Sequence, residues 1–264
     1  MSLLRFAVIG NPIQHSLSPE IHQSFAEQIG IELEYQRILG EPLHFKQQVT
    51  DFFQQGKGMN VTLPFKGEAF QLADIATERC RQAKAANTLW QNQTKLYADN
   101  TDGIGLINDL KRHTSLHNKT VLILGAGGAA RGIIYPLLEQ GIKQLAVYNR
   151  STERLQILAR DFPDIAPVQY NQLSRPFDIL INATSISTTR QSIELPDVLW
   201  SAQPFCYDLA YQRNGLTSFV AEAQLKACQA LDGLGMLVEQ AAEAFAIWHG
   251  VKPRTQPVLE MLRR

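Results

Sequence analysis

Thr120-Val-Leu-Ile-Leu124, Gly125-Ala-Gly-Gly-Ala-Ala130, Gln144-Leu-Ala-Val-Tyr148 and Asn149-Arg-Ser151 follow one another in the stretch that decides how this chain folds. The first segment is a short apolar, β-branched strand. The second is a glycine turn that runs into a helical segment reaching Glu139 and stopped by Gly141, and the third is another strand. Strand, glycine turn, helix and strand is the order a dinucleotide fold requires. Gly125 permits the tight turn, Gly127 lets the backbone approach a pyrophosphate, and small Ala130 allows close packing of helix on strand. Ala126, Gly128 and Ala129 complete the turn, and the helix N-terminus offers unpaired N–H groups to the anion. The second strand ends in base rather than acid, at Asn149, Arg150 and Ser151, with Arg154 one helical turn further on. A site for NAD usually places Asp or Glu here for the ribose 2′-hydroxyl, whereas a 2′-phosphate suits guanidinium groups and short polar side chains. Cations are disfavoured in the first turn of a helix unless an anion sits there, which outweighs reading Arg150 and Arg154 as plain solvated residues. The expected cofactor is NADP.

The remaining composition narrows the partners. Lys and Arg number 25 and Asp and Glu 25 in 264 residues, so no global field exists to attract nucleic acid or an anionic membrane. Small molecules are the expected partners. Cys80, Cys206 and Cys228 lie far apart without metal-ligand spacing, which argues against a disulfide framework and a zinc site. No metal is expected, and reduced thiols in the cytoplasm are the default reading. The scattered histidines show no pair at metal-binding spacing on a shared helix, and none is assigned to catalysis. The apolar run at the start is short, is interrupted by Arg5 and is broken at Gly10-Asn-Pro12, as a strand end would be. Nowhere do about eighteen apolar residues run together, so no membrane span is expected. No large apolar stripe stands out as an interface, which leaves monomer and homodimer both open.

Before the nucleotide stretch, strand and helix alternate. Phe6–Ile9, Glu34–Ile38 and Gly58–Val61 read as strands; helices are expected from Ser18 to Gly30, with Ser18 as N-cap and Pro19 in the first turn, from Pro42 to Gln55, and briefly from Pro64. Ala86–Trp90 and Lys95–Ala98 flank Gln91-Asn-Gln-Thr94 as a hairpin, and Gly103–His113 is helical. After Arg154, strands at Phe177–Ile181, Pro204–Asp208 and Gln229–Asp232, with a helix from Thr217 to Cys228, complete a parallel sheet. Val238, Ala242, Phe245 and His249 then fall at helical spacing, and a last helix spans Pro257–Leu262. The expected fold is α/β with two domains: residues 1–101 with a mixed sheet, and residues 102–237 as a Rossmann-like parallel-sheet domain. Residues 238–264 have no strand to flank and are expected to return to the first domain.

Two polar clusters carry chemistry outside the nucleotide stretch. In Asn60-Val-Thr-Leu-Pro-Phe-Lys66, polar Asn60 and Thr62 alternate with apolar residues at a strand end, and Lys66 follows Pro64. Asp102, in Asn100-Thr-Asp102-Gly, lies at the expected boundary as an N-cap. Spacing alone favours a solvated lysine and a mere cap. Ser16 and Ser18 sit beyond the first strand, where ligands of open α/β sheets gather; two hydroxyls there suit a small carboxylate, and a plain cap at Ser18 accounts for it equally well.

Taken together, Ser16-Leu-Ser18, Asn60–Lys66, Ala86-Asn-Thr88, Asn100–Gly103, Gly125–Arg131, Asn149–Ser151, Asn182-Ala-Thr-Ser185 and Asp232–Gln240 cover nearly the whole chain, and in this order they resemble the shikimate dehydrogenase family. The resemblance implies a substrate domain, an NADP-binding Rossmann domain and a cleft between them, with reversible reduction of 3-dehydroshikimate to shikimate in aromatic amino-acid (chorismate) biosynthesis. It implies Lys66 and Asp102 as the catalytic pair, and Ser16, Ser18 and Tyr211 around the substrate carboxylate. Thr62, Asn87 and Gln240 match positions that contact ring hydroxyls or order the site, with Asn60 beside them. Arg150, Ser151 and Arg154 match the 2′-phosphate clamp, with Asn149 adjoining. Thr184 matches the cofactor loop, and Gly235 and Met236 match the nicotinamide region. Two departures stand out: Ser187 replaces a common glycine, and Ser151 replaces the usual threonine while keeping the hydroxyl. A quinate/shikimate dehydrogenase preferring NAD is disfavoured by Arg150 and Arg154. A non-catalytic NADP-binding regulator would have no need of Lys66 and Asp102, and a folate-type dehydrogenase no need of Ser16 and Ser18.

Overall fold

The computed structural model describes residues 3–184 and 194–264. The chain divides into two compact units, one formed by residues 1–105 with 238–264 and the other by residues 106–237.

In the first unit β1 (Leu4–Gly10), α1 (Ser18–Ile29), β2 (Leu33–Leu39), α2 (Phe45–Phe52), β3 (Gly58–Val61), α3 (Lys66–Leu72), β4 (Ile75–Ala76), α4 (Glu78–Ala83), β5 (Thr88–Asn92) and β6 (Lys95–Asp99) precede α5 (Asp102–Leu110). Among the described residues the strands are ordered β2-β1-β3-β5-β6-β4. β1 pairs in parallel with β2 and β3, whereas β3–β5 and β5–β6 are antiparallel, so the sheet is mixed. Register sets the site: Asn60 faces Thr88, and Thr88 faces Asp99. The chain leaving β3, the chain entering β5 and the chain leaving β6 therefore all lie at one end of the sheet. Alternate residues of the central strands bury on opposite faces. Ala7, Ile9, Met59 and Val61 pack with Phe45 and Val49 of α2. On the other side Phe6 stacks on Trp248, 5.0 Å between centroids. Trp248 belongs to α9 (Leu234–His249), which passes from the second unit into the first and is followed by α10 (Gln256–Leu262). The Gln28 side chain exchanges two hydrogen bonds with the Arg254 backbone, tying α1 to the segment before α10.

The second unit holds β7 (Thr120–Leu124), α6 (Gly128–Leu138), β8 (Gln144–Tyr148), α7 (Thr152–Asp161), β9 (Ala166–Val168), β10 (Ile179–Asn182), β11 (Phe205–Asp208), α8 (Ser218–Leu225) and β12 (Ala230–Leu231). Among the described residues its strands run β12-β11-β10-β7-β8-β9, all parallel. Both faces are covered, which is why β7 reads as an unbroken apolar run. Val121 and Ile123 pack with Ile133, Leu137 and Leu158, while Leu122 and Leu124 pack with Leu180, Phe219 and Ala223.

Several local expectations are corrected. Ser18 does not cap α1: Leu17 already has helical dihedrals, with φ −88° and ψ −1°, and the Ser18 hydroxyl accepts a bond from Ser16 instead. Pro64 lies in the turn before α3, which starts at Lys66. Helix α2 begins at Phe45 rather than Pro42. Asp102 opens α5 rather than capping it, and its own backbone N–H is met by the Asn100 side chain at 3.1 Å. The two-residue strand β4, helix α4 and the edge strand β9, which contains Pro167, carry too little periodicity to announce themselves.

Candidate active site

At the strand-end edge of the first unit, the Lys66 ammonium lies 2.5 Å from Asp102 Oδ2, and the two side chains are only 14% and 7% exposed. The other oxygen, Oδ1, accepts a bond from Asn87 Nδ2 at 2.9 Å. The same carboxamide nitrogen is 2.9 Å from the Thr101 hydroxyl and 3.1 Å from Gln240 Oε1, and its oxygen accepts from the Thr101 backbone N–H. Residues 66, 87, 101, 102 and 240, distant in the chain, thus converge on one polar cluster. A charge this buried requires a partner, and the pair supplies it, with both oxygens of Asp102 occupied. The solvated-lysine reading therefore fails.

The edge extends toward β1. Asn60 is buried and held from three sides: its oxygen accepts from the Tyr35 hydroxyl at 2.7 Å, and its nitrogen reaches Asn87 O and the Thr88 hydroxyl. The Thr62 hydroxyl makes no hydrogen bond among the described residues, which leaves it available to a ligand. Ser16 donates to Ser18 at 3.1 Å, and the Arg37 guanidinium holds the Ser16 carbonyl and pairs with Glu20. Behind them His22 is completely buried, stacked on Tyr35 at 4.5 Å and flanked by Phe245 and Trp248. Neither ring nitrogen has a hydrogen-bond partner among the described residues. Burial, helped by nearby His249, pushes its pKa down to about 3.

Three supports escaped the sequence reading. Thr101 lies inside a noticed motif, but its own role is masked by its neighbours. Tyr35 reaches Asn60 only through the sheet. Arg79 grips Asp99 through two nitrogens, at 2.7 and 2.5 Å, fixing the end of β6 just before Asn100. Nothing local marks Tyr35 or Arg79, because both act on residues more than a dozen positions away.

The second unit carries the glycine turn. Gly125 has φ +111°, the left-handed range that glycine adopts without strain, and its backbone N–H reaches Tyr148 O at 2.7 Å. A Cβ at Gly127 or Gly128 would meet nothing within 4 Å, so the backbone there faces open space at the start of α6, with Ala126 and Ala129 alongside. Ala130 is fully buried in the core cluster under the sheet. Asn149 links the two halves of the edge: its oxygen accepts from Ala126 N–H at 3.1 Å, and its nitrogen donates to Ser151 O at 2.9 Å. Ser151 is the N-cap of α7, accepting from the Arg154 N–H. Arg150 and Arg154 are both exposed, and neither makes an ion pair among the described residues. Two unpaired cations beside the positive end of a helix, next to an open glycine turn, fit the phosphates of an NADP-type dinucleotide.

Thr184 follows β10 and donates to Asn182 at 2.7 Å. Ser185 and Ser187 lie outside the described residues. Tyr211 sits, partly buried, on the segment after β11. Gly235 and Met236 occupy the first turn of α9.

A buried ammonium–carboxylate pair among polar side chains in one unit, and a glycine turn with a basic second strand in a parallel-sheet unit, define a dinucleotide-dependent α/β oxidoreductase. The chain matches the shikimate dehydrogenase substrate binding domain over residues 8–89, shikimate/quinate 5-dehydrogenase over 109–227 and the shikimate 5′-dehydrogenase C-terminal domain over 233–263. It is 57% identical over 262 residues to a shikimate dehydrogenase (NADP(+)) of Legionella pneumophila, covering 99% of both chains. A counterpart of the same name in Acinetobacter baumannii is 44% identical over 263 residues, covering 97% of this chain and 99% of the other. The crystal structure of shikimate 5-dehydrogenase from Thermus thermophilus in complex with NADP(H) and shikimate superposes with a TM-score of 0.90 at 33% identity, covering 99% of each chain. The chain belongs to the shikimate dehydrogenase family.

Proposed function

We propose that this chain catalyses the reversible NADP-dependent interconversion of 3-dehydroshikimate and shikimate, in the route to chorismate and the aromatic amino acids. The buried 2.5 Å contact between Lys66 and Asp102 carries the reading, because it presents a protonated amine held in one orientation within a cluster of hydroxyl-seeking side chains. NADPH, when bound, supplies the hydride; the protein contributes alignment and a proton. In reduction Lys66 gives its proton to the oxygen of the former ketone, and in oxidation it takes that proton back. Asp102 holds the ammonium in place, and Asn87 keeps the carboxylate oriented by occupying its other oxygen. Thr62, Asn87 and Gln240 contact ring hydroxyls or order the site, with Asn60 beside them, and the paired hydroxyls of Ser16 and Ser18, with Tyr211, address the substrate carboxylate. Ala126, Gly127, Gly128 and Ala129 cradle the pyrophosphate at the N-terminus of α6, Arg150, Ser151 and Arg154 clamp the 2′-phosphate, and Thr184, Gly235 and Met236 line the nicotinamide end.

No described helix is long and apolar enough to cross a membrane, and the three cysteines are free and buried. Free thiols support a cytoplasmic location for the proposed reaction. The direct test follows reduced-cofactor absorbance with shikimate or quinate, each paired with NADP or NAD. Shikimate with NADP is expected to be fastest. Faster turnover of quinate with NAD would shift the assignment to the rival dehydrogenase, and no turnover with any pair would remove the enzymatic reading.

A further inference from the structure

Beneath the first turn of α9 lies a buried polar group that the proposed reaction does not use directly. Tyr207, on β11, has no exposed surface, and Asp109, on α5, is 1% exposed. The Tyr207 hydroxyl donates to Asp109 Oδ2 at 2.6 Å and accepts the backbone N–H of Met236 at 3.2 Å. Asp109 is further held by Arg112 at 2.5 Å, with His113 at 3.7 Å. Burial, with the Asp109 charge beside it, holds the phenol well above its ordinary range, so Tyr207 keeps the proton it donates.

This arrangement solves a problem of the helix start. The first N–H groups of a helix have no partner within it, and a buried helix start must find them elsewhere. Leu234 N–H finds the Asp232 side chain at 3.3 Å, and Met236 N–H finds Tyr207. Gly235, between them, is seated so closely that a Cβ would stand 2.1 Å from an Asp109 carboxylate oxygen. The backbone of Gly235 and Met236 is thus set by contact with the carboxylate below it and by a hydrogen bond to the phenol. An anion under a helix N-terminus is also favoured by the helix dipole.

We infer that Tyr207 and Asp109 are positioning residues for the reaction: through Gly235 and Met236 they fix the surface against which the nicotinamide lies. The inference rests on the proposed role of Gly235 and Met236. It gives a reason for a glycine at position 235 and for a buried phenol–carboxylate hydrogen bond that packing alone does not require. Small displacements of a reacting ring lower turnover more than they lower binding of a cofactor held mainly by its phosphates.

The test uses the full-length protein and first establishes that the wild type reduces NADP with shikimate; failure there removes the functional reading rather than this inference. Tyr207→Phe deletes the hydroxyl and keeps the ring. Its kcat is expected to fall about tenfold or more, with NADP affinity by fluorescence titration changed less than about twofold. The deuterium isotope effect with shikimate labelled at the carbon that loses hydride is expected to rise. Asp109→Asn, which preserves an acceptor for the phenol, is expected to retain more turnover than Asp109→Ala. Thr217→Val removes a buried N-cap of α8 instead and serves as the control for stability loss. If Tyr207→Phe keeps wild-type kcat, or if Thr217→Val lowers kcat equally, the inference is overturned. Should Tyr207→Phe not fold, the two Asp109 variants decide: a lower kcat for Asp109→Ala than for Asp109→Asn, with NADP affinity retained in both, supports the positioning role, and wild-type kcat in both defeats it.

Discussion

The polar edge of the first unit and that of the second are built on opposite terms. In the first, the site's side chains satisfy one another: Lys66 with Asp102, Asp102 with Asn87, Asn87 with Thr101 and Gln240, Asn60 with Tyr35. In the second, Gly127 and Gly128 face open space, and Arg150 and Arg154 stand exposed without ion pairs among the described residues. Organising a buried proton donor requires partners at all times, because an unpaired charge in a low-dielectric setting is costly. Gripping a phosphate at a surface requires only that donors point outward until the anion arrives. Substitutions in the first edge are therefore expected to change chemistry and stability together, and substitutions at the exposed arginines of the second to change cofactor affinity alone.

The largest effect is expected at Lys66. Lys66→Met removes the proposed proton donor and is expected to lower turnover by about 10²- to 10⁴-fold, with NADP binding nearly unchanged by titration. Turnover near wild type would sink the assignment of the donor.

Acid tests the first unit through His22. Its folded pKa, about 3, lies below the value of 6.5 for an unperturbed imidazole, so below pH 6.5 the unfolded chain takes up a proton that the folded chain refuses. Stability from this group is complete above pH 6.5 and is lost as pH falls toward 3, by about 1.4 kcal/mol for each pH unit. Urea unfolding at pH 7 and pH 5 is expected to show a steeper loss for wild type than for His22→Phe. Equal losses would mean that His22 is protonated in the folded protein.

At the second edge, Arg150→Ala removes the charge-assisted bond proposed to the 2′-phosphate, worth roughly 1.5–3 kcal/mol, and is expected to raise the NADP Michaelis constant about ten- to a hundredfold. The melting temperature without cofactor is expected to stay put, since the side chain pairs with nothing described. A large fall in melting temperature would erase the contrast between the two edges. The smallest effect separates two duties of Ser151. Ser151→Ala removes a cap worth about 1 kcal/mol and the proposed phosphate donor together, so it is expected to weaken both stability and NADP affinity, and Ser151→Thr is expected to restore both.

How much of this was legible beforehand depends on distance along the chain. The strand, turn and helix from Thr120 to Leu138 are encoded by neighbours, and their type and order emerge as the periodicity implies. Helix starts are less legible, because Ser18 and Asp102 look like caps wherever they stand; the backbone at Leu17 and the side chain of Asn100 decided otherwise. The motifs around Lys66 and Asp102 were visible as polar residues at strand ends, yet spacing alone favoured a solvated lysine. Tyr207 and Asp109, 98 residues apart, gave no signal, since a tyrosine in an apolar strand and an aspartate in a helix are each ordinary.

The sequence by itself determined the alternation of strands and helices, the glycine turn and the preference for a 2′-phosphate, because these depend on residues within one or two turns of each other. Only the tertiary structure decided that Lys66 meets Asp102, that Asn87 meets Gln240 across 153 positions, and that a phenol lies under Met236. Those meetings depend on strand register and on the return of α9 into the first unit. They are made by burial that excludes water and leaves each polar group no partner except another brought in from afar.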